Sequence, residues 1–459
     1  MNLQAACLTC FLSLIGAVSQ AAEDAALDWK VAAGSVAITP EQPVWMGGYA
    51  ARTKPSDGKV HDLFAKVIVI EDTGGSRLVI VTMDLIGITP ELRAGVEDLV
   101  KGNGVPPESL LMNASHTHCG PELRDDRILR FGIDAKFAAL SRQFVRDTAT
   151  KIGKLIVETL ARVEPSRLIY SHARAGFAMN RRLPTSGGFI NSPNPDGPVD
   201  HDVPVLRAED ADGKLKAVLF GYACHATTLS FQQLCGDYPG FAQQYVEEAH
   251  EGVVAMFVNG CSGDQNPYPR RTLELAQQHG RALANGVETA LETKNVRELK
   301  GPLRVALDQA TLKFAEPPSR QQIAAMLASS NKYERFHGET LLQQLDQSGK
   351  IETEFSFFPI QAVQFGKDLT LVAICGEVVV DYSLRLKKEL AMESDNIVWI
   401  AGYSNHVFGY LPSLRVLKQG GYEGGGAMRY TNFPGPFDDS VEERIMATVD
   451  EVVSRVRSD

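Results

Sequence analysis

This sequence has no excess of basic residues, no membrane-length apolar run and no C-x-x-C pair, and each absence removes a class of function. Lys and Arg number 46 against 56 Asp and Glu, for a formal net charge of -10. The electrostatic footprint of nucleic-acid binding is therefore missing. The longest apolar stretch, Ala5 to Val18, falls short of the ~20 residues a helix needs to cross a bilayer, and no later segment approaches that length. Internal repeats, low-complexity tracts and Pro/Ser-rich linkers are also lacking, which points to a single large domain rather than several. A hydrophobic content of 44% with 22% charged residues places the chain among ordinary globular proteins.

Residues 1–22 carry no charged side chain, and their apolar stretch ends in Ser19-Gln20 and the small pair Ala21-Ala22. That pattern predicts a secretory signal peptide over 1–22, a mature chain over 23–459, and a secreted or periplasmic protein. The residues before Cys7 and Cys10 lack a lipid-anchoring pattern. Beyond this leader lie Cys119, Cys224, Cys235, Cys261 and Cys375. Their odd number leaves at least one free or paired between chains. Their spacing excludes a four-cysteine structural zinc site. Most are expected to be small buried residues, with Cys224–Cys235 the one disulfide left open.

Short apolar, β-branched runs recur at 65–70, 78–82, 110–113, 215–222, 253–258, 369–374 and 397–400. Several are continuous rather than alternating, the mark of strands covered on both faces. Helical patterns lie between them at 136–163, 241–250, 272–293 and 319–345, the last opened by Pro317-Pro318, and a closing amphipathic segment spans 440–456. The fold class is α/β, with mixed sheets covered by helices.

The chemistry collects at the ends of these apolar runs. His116-Thr117-His118 follows the run Leu110–Met112, and Gly120-Pro121 halts it. Strand alternation would put both imidazoles on one face, beside a loop. His225 follows the run ending at Tyr222, and Glu377 follows Ile374-Cys375-Gly376. Two nitrogen donors, or three if both triplet histidines bind, plus one carboxylate form the ligand set of a catalytic zinc site. Each residue taken alone reads more simply as structural. Asp264, in Gly260-Cys261-Ser262-Gly263-Asp264, either orients a ligand or begins an Asx turn.

These motifs, in this order, resemble the neutral, non-lysosomal ceramidase family in its N-terminal catalytic domain. The resemblance runs from Ile38-Thr39-Pro40 and Met46-Gly47-Gly48-Tyr49 through Asp84, the histidine triplet, Asn180-Arg181, His225, Cys235-Gly236-Asp237, Gly263-Asp264 and Gly376-Glu377 to Tyr410–Glu423. It implies a hydrolase of sphingolipid metabolism with one Zn2+ per chain, cleaving a small-molecule or lipid N-acyl amide by water. It also implies His116, His225, Glu377 and Tyr410 as metal ligands, with His118, Arg181 and Tyr422 around the scissile bond.

Three departures stand out. Asn266 occupies the position of the family's loop serine in Gly-Asp-x-Ser-Pro-Asn, Arg182 replaces another serine, and the sequence ends at Asp459 without the family's immunoglobulin-like C-terminal domain. An unpartnered Asn266 amide would disfavour a lipid chain, so ceramide is expected to be a poor substrate and another N-acyl amide the preferred one. The competing functions are a noncatalytic zinc-containing binding protein and a metal-dependent esterase or phosphoesterase. Against the last, the sequence has no Gly-Asn-His-Asp or Gly-Asn-His-Glu to furnish a two-metal centre.

Overall fold

The computed structural model describes residues 27–392 and 396–458; the expected signal peptide lies outside them. Two mixed sheets pack face to face, each backed by helices. The larger sheet orders its strands Val254–Asn259, Leu215–Tyr222, Asp202–Asp210, Glu164–Arg174, Trp29–Ala37, Phe64–Asp72, Arg77–Met83 and Leu110–Ala114, with Arg297–Leu299 added on Glu164–Arg174. The second orders Leu303–Lys313, Glu354–Phe365, Leu369–Ile374 and Ile397–Ala401.

The continuous apolar runs have a physical reason in this layering. In Phe64–Asp72, Val67 and Val69 pack with Leu92, Val96 and Ile152 of the outer helices, while Ile68 and Ile70 join Val363, Leu371 and Trp399 in the core between the sheets. Because alternate side chains of a strand face opposite ways, a strand between two apolar layers needs apolar residues at every position. Helices Asp237–Ala249 and Leu273–Glu292 cover the other half of the large sheet. Helix Val441–Arg457 closes the outer face of the small one.

Two expectations need correction. The pattern at 319–345 is not one helix but two, Arg320–Leu327 and Lys332–Ser348. Between them, Asn331 accepts from the Tyr333 N–H at 3.0 Å and starts a new helix, since a short polar side chain competes with the helical ladder and serves better as a cap. Nor does Cys224 bond to Cys235: all five described cysteines are free and buried. Among the described residues no helix is long and apolar enough to cross a membrane.

Candidate active site and metal centre

The two edge strands of the large sheet meet at their C-terminal ends, and the site forms there. The Asn113 side chain ties them together, accepting from the Asn259 N–H at 2.8 Å and donating to the Gly402 carbonyl at 2.7 Å. The strand Leu110–Ala114 stops before the triplet. His116 has φ 60°, so a turn through the left-handed region, and not strand alternation, aims the two rings. His116 and His118 nevertheless bring their Nε2 atoms to 3.2 Å. Gly48, at φ +88°, makes this packing feasible, because a Cβ there would lie 2.4 Å from the His118 ring.

The tautomers follow from the surrounding carbonyls. His116 Nδ1 donates to the Ile86 carbonyl at 2.6 Å, and His225 Nδ1 to the Ser262 carbonyl at 2.5 Å. A carbonyl can only accept, so each Nε2 is left as a bare lone pair. Both Nε2 atoms stand 3.3 Å from Glu377 Oε2, and that oxygen is buried with no hydrogen-bond partner. Burial, followed by the charge of Arg181, lowers the His225 pKa to about 3, which keeps the imidazole neutral. Three mutually facing acceptors in a largely buried site could hold a cation, and an N,N,O donor set suits zinc. The ring nitrogens of His116, His118 and His225 all lie within 4.8 Å of one another, so His118 is also within ligating reach. Its Nδ1 is buried and unpartnered, leaving its tautomer uncommitted. Burial first, then His116 and His225, hold its pKa well below the ordinary value.

Glu377 and Tyr410 face each other in register in a two-stranded parallel ribbon, Glu377–Val378 with Tyr410–Leu411. The Tyr410 hydroxyl reaches to 3.4 Å from His225 Nε2 and accepts from Arg181 Nη2 at 2.9 Å. Arg181 is buried, not a surface ion pair. Its Nε donates to Glu423 at 2.8 Å, and Glu423 also receives Arg182 Nη1 at 2.7 Å. Tyr422 packs its ring 5.3 Å from that of Tyr410 and is 38% exposed. It borders, with Glu377 and Tyr410, a cavity of about 40 Å³ that Arg124 and Arg127 also line. Burial raises the Tyr422 pKa to about 12.

Asn266 sits behind Arg181. Its Oδ1 accepts from Thr227 at 3.0 Å and Arg181 Nη1 at 3.3 Å, and its Nδ2 donates to the Tyr268 hydroxyl at 3.4 Å. The amide is therefore partnered by protein, and the expected penalty against a lipid chain does not arise from it. Asp264 contacts neither histidine. It accepts from the Val380 N–H at 2.8 Å and from Asn180 at 3.1 Å, and burial lifts its pKa to about 6. Orientation of His225 falls instead to the backbone carbonyl of Ser262. The adjoining Gly263 must be glycine on space alone, since a Cβ would come within 2.6 Å of the Glu377 carbonyl.

Sequence reading missed Tyr403, whose ring lies 4.7 Å from that of His116, and the clamp residue Glu423. Tyr403 follows the apolar strand Ile397–Ala401 within Gly402-Tyr403-Ser404-Asn405, the same strand-then-turn context that marked the other candidates. Glu423 left no signal beyond its place next to Tyr422.

The family profile described as neutral/alkaline non-lysosomal ceramidase, N-terminal, matches residues 29–285. The chain is 26% identical over 266 residues to neutral ceramidase B of Dictyostelium discoideum, covering 53% of this chain and 36% of that protein. It is 22% identical over 267 residues to neutral ceramidase 1 of Arabidopsis thaliana, covering 55% and 33%. These matches span about a third of the length of either relative. The fold matches the crystal structure of neutral ceramidase from Pseudomonas aeruginosa with a TM-score of 0.73 at 21% identity, over 94% of this chain and 76% of that one.

Proposed function

This chain belongs to the neutral/alkaline non-lysosomal ceramidase family, and from that premise we propose that it is an exported, zinc-dependent hydrolase of N-acyl amides. One observation carries the reading: the buried, unpartnered Glu377 Oε2 faces two imidazole lone pairs whose opposite nitrogens are already spent on carbonyls. His116, His225 and Glu377 would hold the ion, with the Tyr410 hydroxyl as fourth ligand. Bound there, zinc supplies Lewis acidity toward water and the substrate carbonyl.

The chain's own residues do the rest. His118, neutral and uncommitted at Nδ1, takes a proton from the attacking water and returns it to the amide nitrogen as the C–N bond breaks. The products are a carboxylic acid and an amine. Arg181 and the Tyr422 phenol donate to the oxygen on which charge develops, a contribution of about 3 kcal/mol per donor. Glu423 fixes the guanidinium that does so. A two-metal phosphoesterase would need a second cluster of donors, and among the described residues one such cluster converges.

Metal analysis and an N-acyl amide panel test the proposal together. Purified protein should carry one zinc per chain, His225→Ala should lose it, and the wild type should release amines from the panel. A zinc-free wild type, or a zinc-loaded one that cleaves no amide, would refute it.

A further inference from the structure

Beside the candidate metal centre lies a cation held only by long contacts. Short helix Asp125–Arg130 displays Arg127 on the small cavity that Glu377, Tyr410 and Tyr422 also line. The same guanidinium borders a separate cleft of about 440 Å³ with aromatic walls that include Trp45, Phe137 and Tyr333. The arginines on either side of it, Arg124 at the N-cap and Arg130 on the helix, are already engaged. Arg124 donates to Glu122 at 2.8 and 3.3 Å. Arg130 is bound to the Asn432 side chain and the Tyr430 carbonyl. Arg127 has only a 3.7 Å approach to the same Glu122 carboxylate and a face-on contact with Phe131 at 5.3 Å.

Two guanidinium groups thus share the Glu122 carboxylate, while the other carboxylates on this cavity are committed elsewhere, Glu423 to Arg181 and Arg182 and Glu377 to the candidate metal centre. Glu122 is 5% exposed, and although burial opposes it, Arg124 and Arg127 draw its pKa to about 2. It is ionised throughout the working range and neutralises one arginine, not both. The Arg127 side chain is 17% exposed, so its donors remain accessible to a ligand in the cavity. A planar fork of donors in a largely desolvated wall is the standard recognition element for a carboxylate. The small cavity suits a short charged group rather than an alkyl chain.

We propose that Arg127 binds a carboxylate carried on the amine side of the substrate, so that the preferred substrates are N-acyl amino acids rather than neutral N-acyl amides. The inference rests on the hydrolase reading above and gives it a substrate class. With the amide at the Glu377–Tyr410 end of the cavity, the carboxylate pairs with Arg127 and the acyl chain is left outside this small space. Hydrolysis adds water across the C–N bond, releasing a fatty acid and the free amino acid, with no further reactant.

N-dodecanoylglycine and N-dodecanoylethanolamine differ only in carboxylate against hydroxymethyl, which makes them the matched probes. Wild-type zinc-loaded protein should favour the glycine conjugate about tenfold to a hundredfold in kcat/KM, the range of a charge-assisted hydrogen bond. Arg127→Gln should bring the ratio toward one, and Arg127→Lys should restore part of it. A wild-type ratio at or below one, or a ratio unmoved by Arg127→Gln, would overturn the inference and leave the hydrolase reading standing. If neither probe is cleaved, the wider amide panel decides the hydrolase reading. Calorimetric binding then decides this inference: an Arg127-dependent preference for the glycine conjugate supports it, and equal binding of the two probes overturns it.

Discussion

Replacing Glu423 with glutamine is the sharpest structural perturbation available at this site. The carboxylate is 3% exposed and lies between Arg181 Nε at 2.8 Å and Arg182 Nη1 at 2.7 Å, themselves 5% and 3% exposed. Glutamine preserves the shape but leaves two buried guanidinium groups without a counter-charge, and breaking a buried pair in this way costs about 3–5 kcal/mol. With 459 residues at about 2.1 cal/mol/K each, the unfolding entropy is roughly 1 kcal/mol/K, so the expected loss is about 3–5 °C in Tm. The pH dependence has a definite sign. Burial would raise the Glu423 pKa, but Arg181 and Arg182 outweigh it and hold the carboxyl below its ordinary value. Its contribution is therefore complete above the unfolded pKa of about 4.3 and is lost as pH falls through the lower folded value. Calorimetric scans of wild type and Glu423→Gln should differ by a constant amount at neutral pH and begin to converge as pH falls below about 4. An Arg182→Gln, Glu423→Gln double variant should be less destabilised than the sum of the singles, because the two groups are in contact. A neutral-pH Tm loss under about 1 °C, or full additivity, would show that the clamp does not carry the charge balance argued for it.

His118→Ala should retain zinc by metal analysis yet lose about a hundredfold or more in kcat/KM; joint loss of zinc and activity would make His118 a ligand instead. Gly48→Ala puts a Cβ 2.4 Å from the His118 ring at φ +88°, so activity should fall with zinc retained, at a stability cost of about 1–3 kcal/mol read from Tm. Because Thr227, Arg181 and Tyr268 already satisfy the Asn266 amide, Asn266→Ser should leave the ratio of ceramide to other amides unchanged in a matched kinetic assay. A raised ratio would return Asn266 to a role in substrate choice.

Much of the architecture was legible because burial on two faces leaves a pattern. The continuous apolar runs at 65–70, 78–82 and 369–374 belong to strands between a helix layer and a second sheet. The more polar strands Ala178–Thr185 and Gly188–Asn194 lie in a small separate sheet and leave no such pattern, so they were not anticipated. The break at Ser329–Asn331 escaped notice because the helical periodicity of the apolar residues continues across it, whereas the capping geometry that interrupts the backbone depends on local hydrogen bonds.

The sequence alone determined the class of layers, the order of strands and helices that feed them, and the donor residues at the ends of apolar runs, because side-chain type and spacing record which faces are buried. Tertiary structure decided how those donors meet. The two sheet edges approach through Asn113 and Asn259, and there residues 116 and 225 meet, their rings 4.9 Å apart. Only carbonyls remote in sequence, at Ile86 and Ser262, choose which imidazole nitrogen stays bare. A contact across 242 positions clamps Arg181, and contacts across 85 and 39 positions satisfy Asn266 within the protein, while Arg127, one turn from a paired arginine, is left facing the cavity. Hydrogen-bond satisfaction is a property of three-dimensional neighbours, and no periodicity in the chain encodes it.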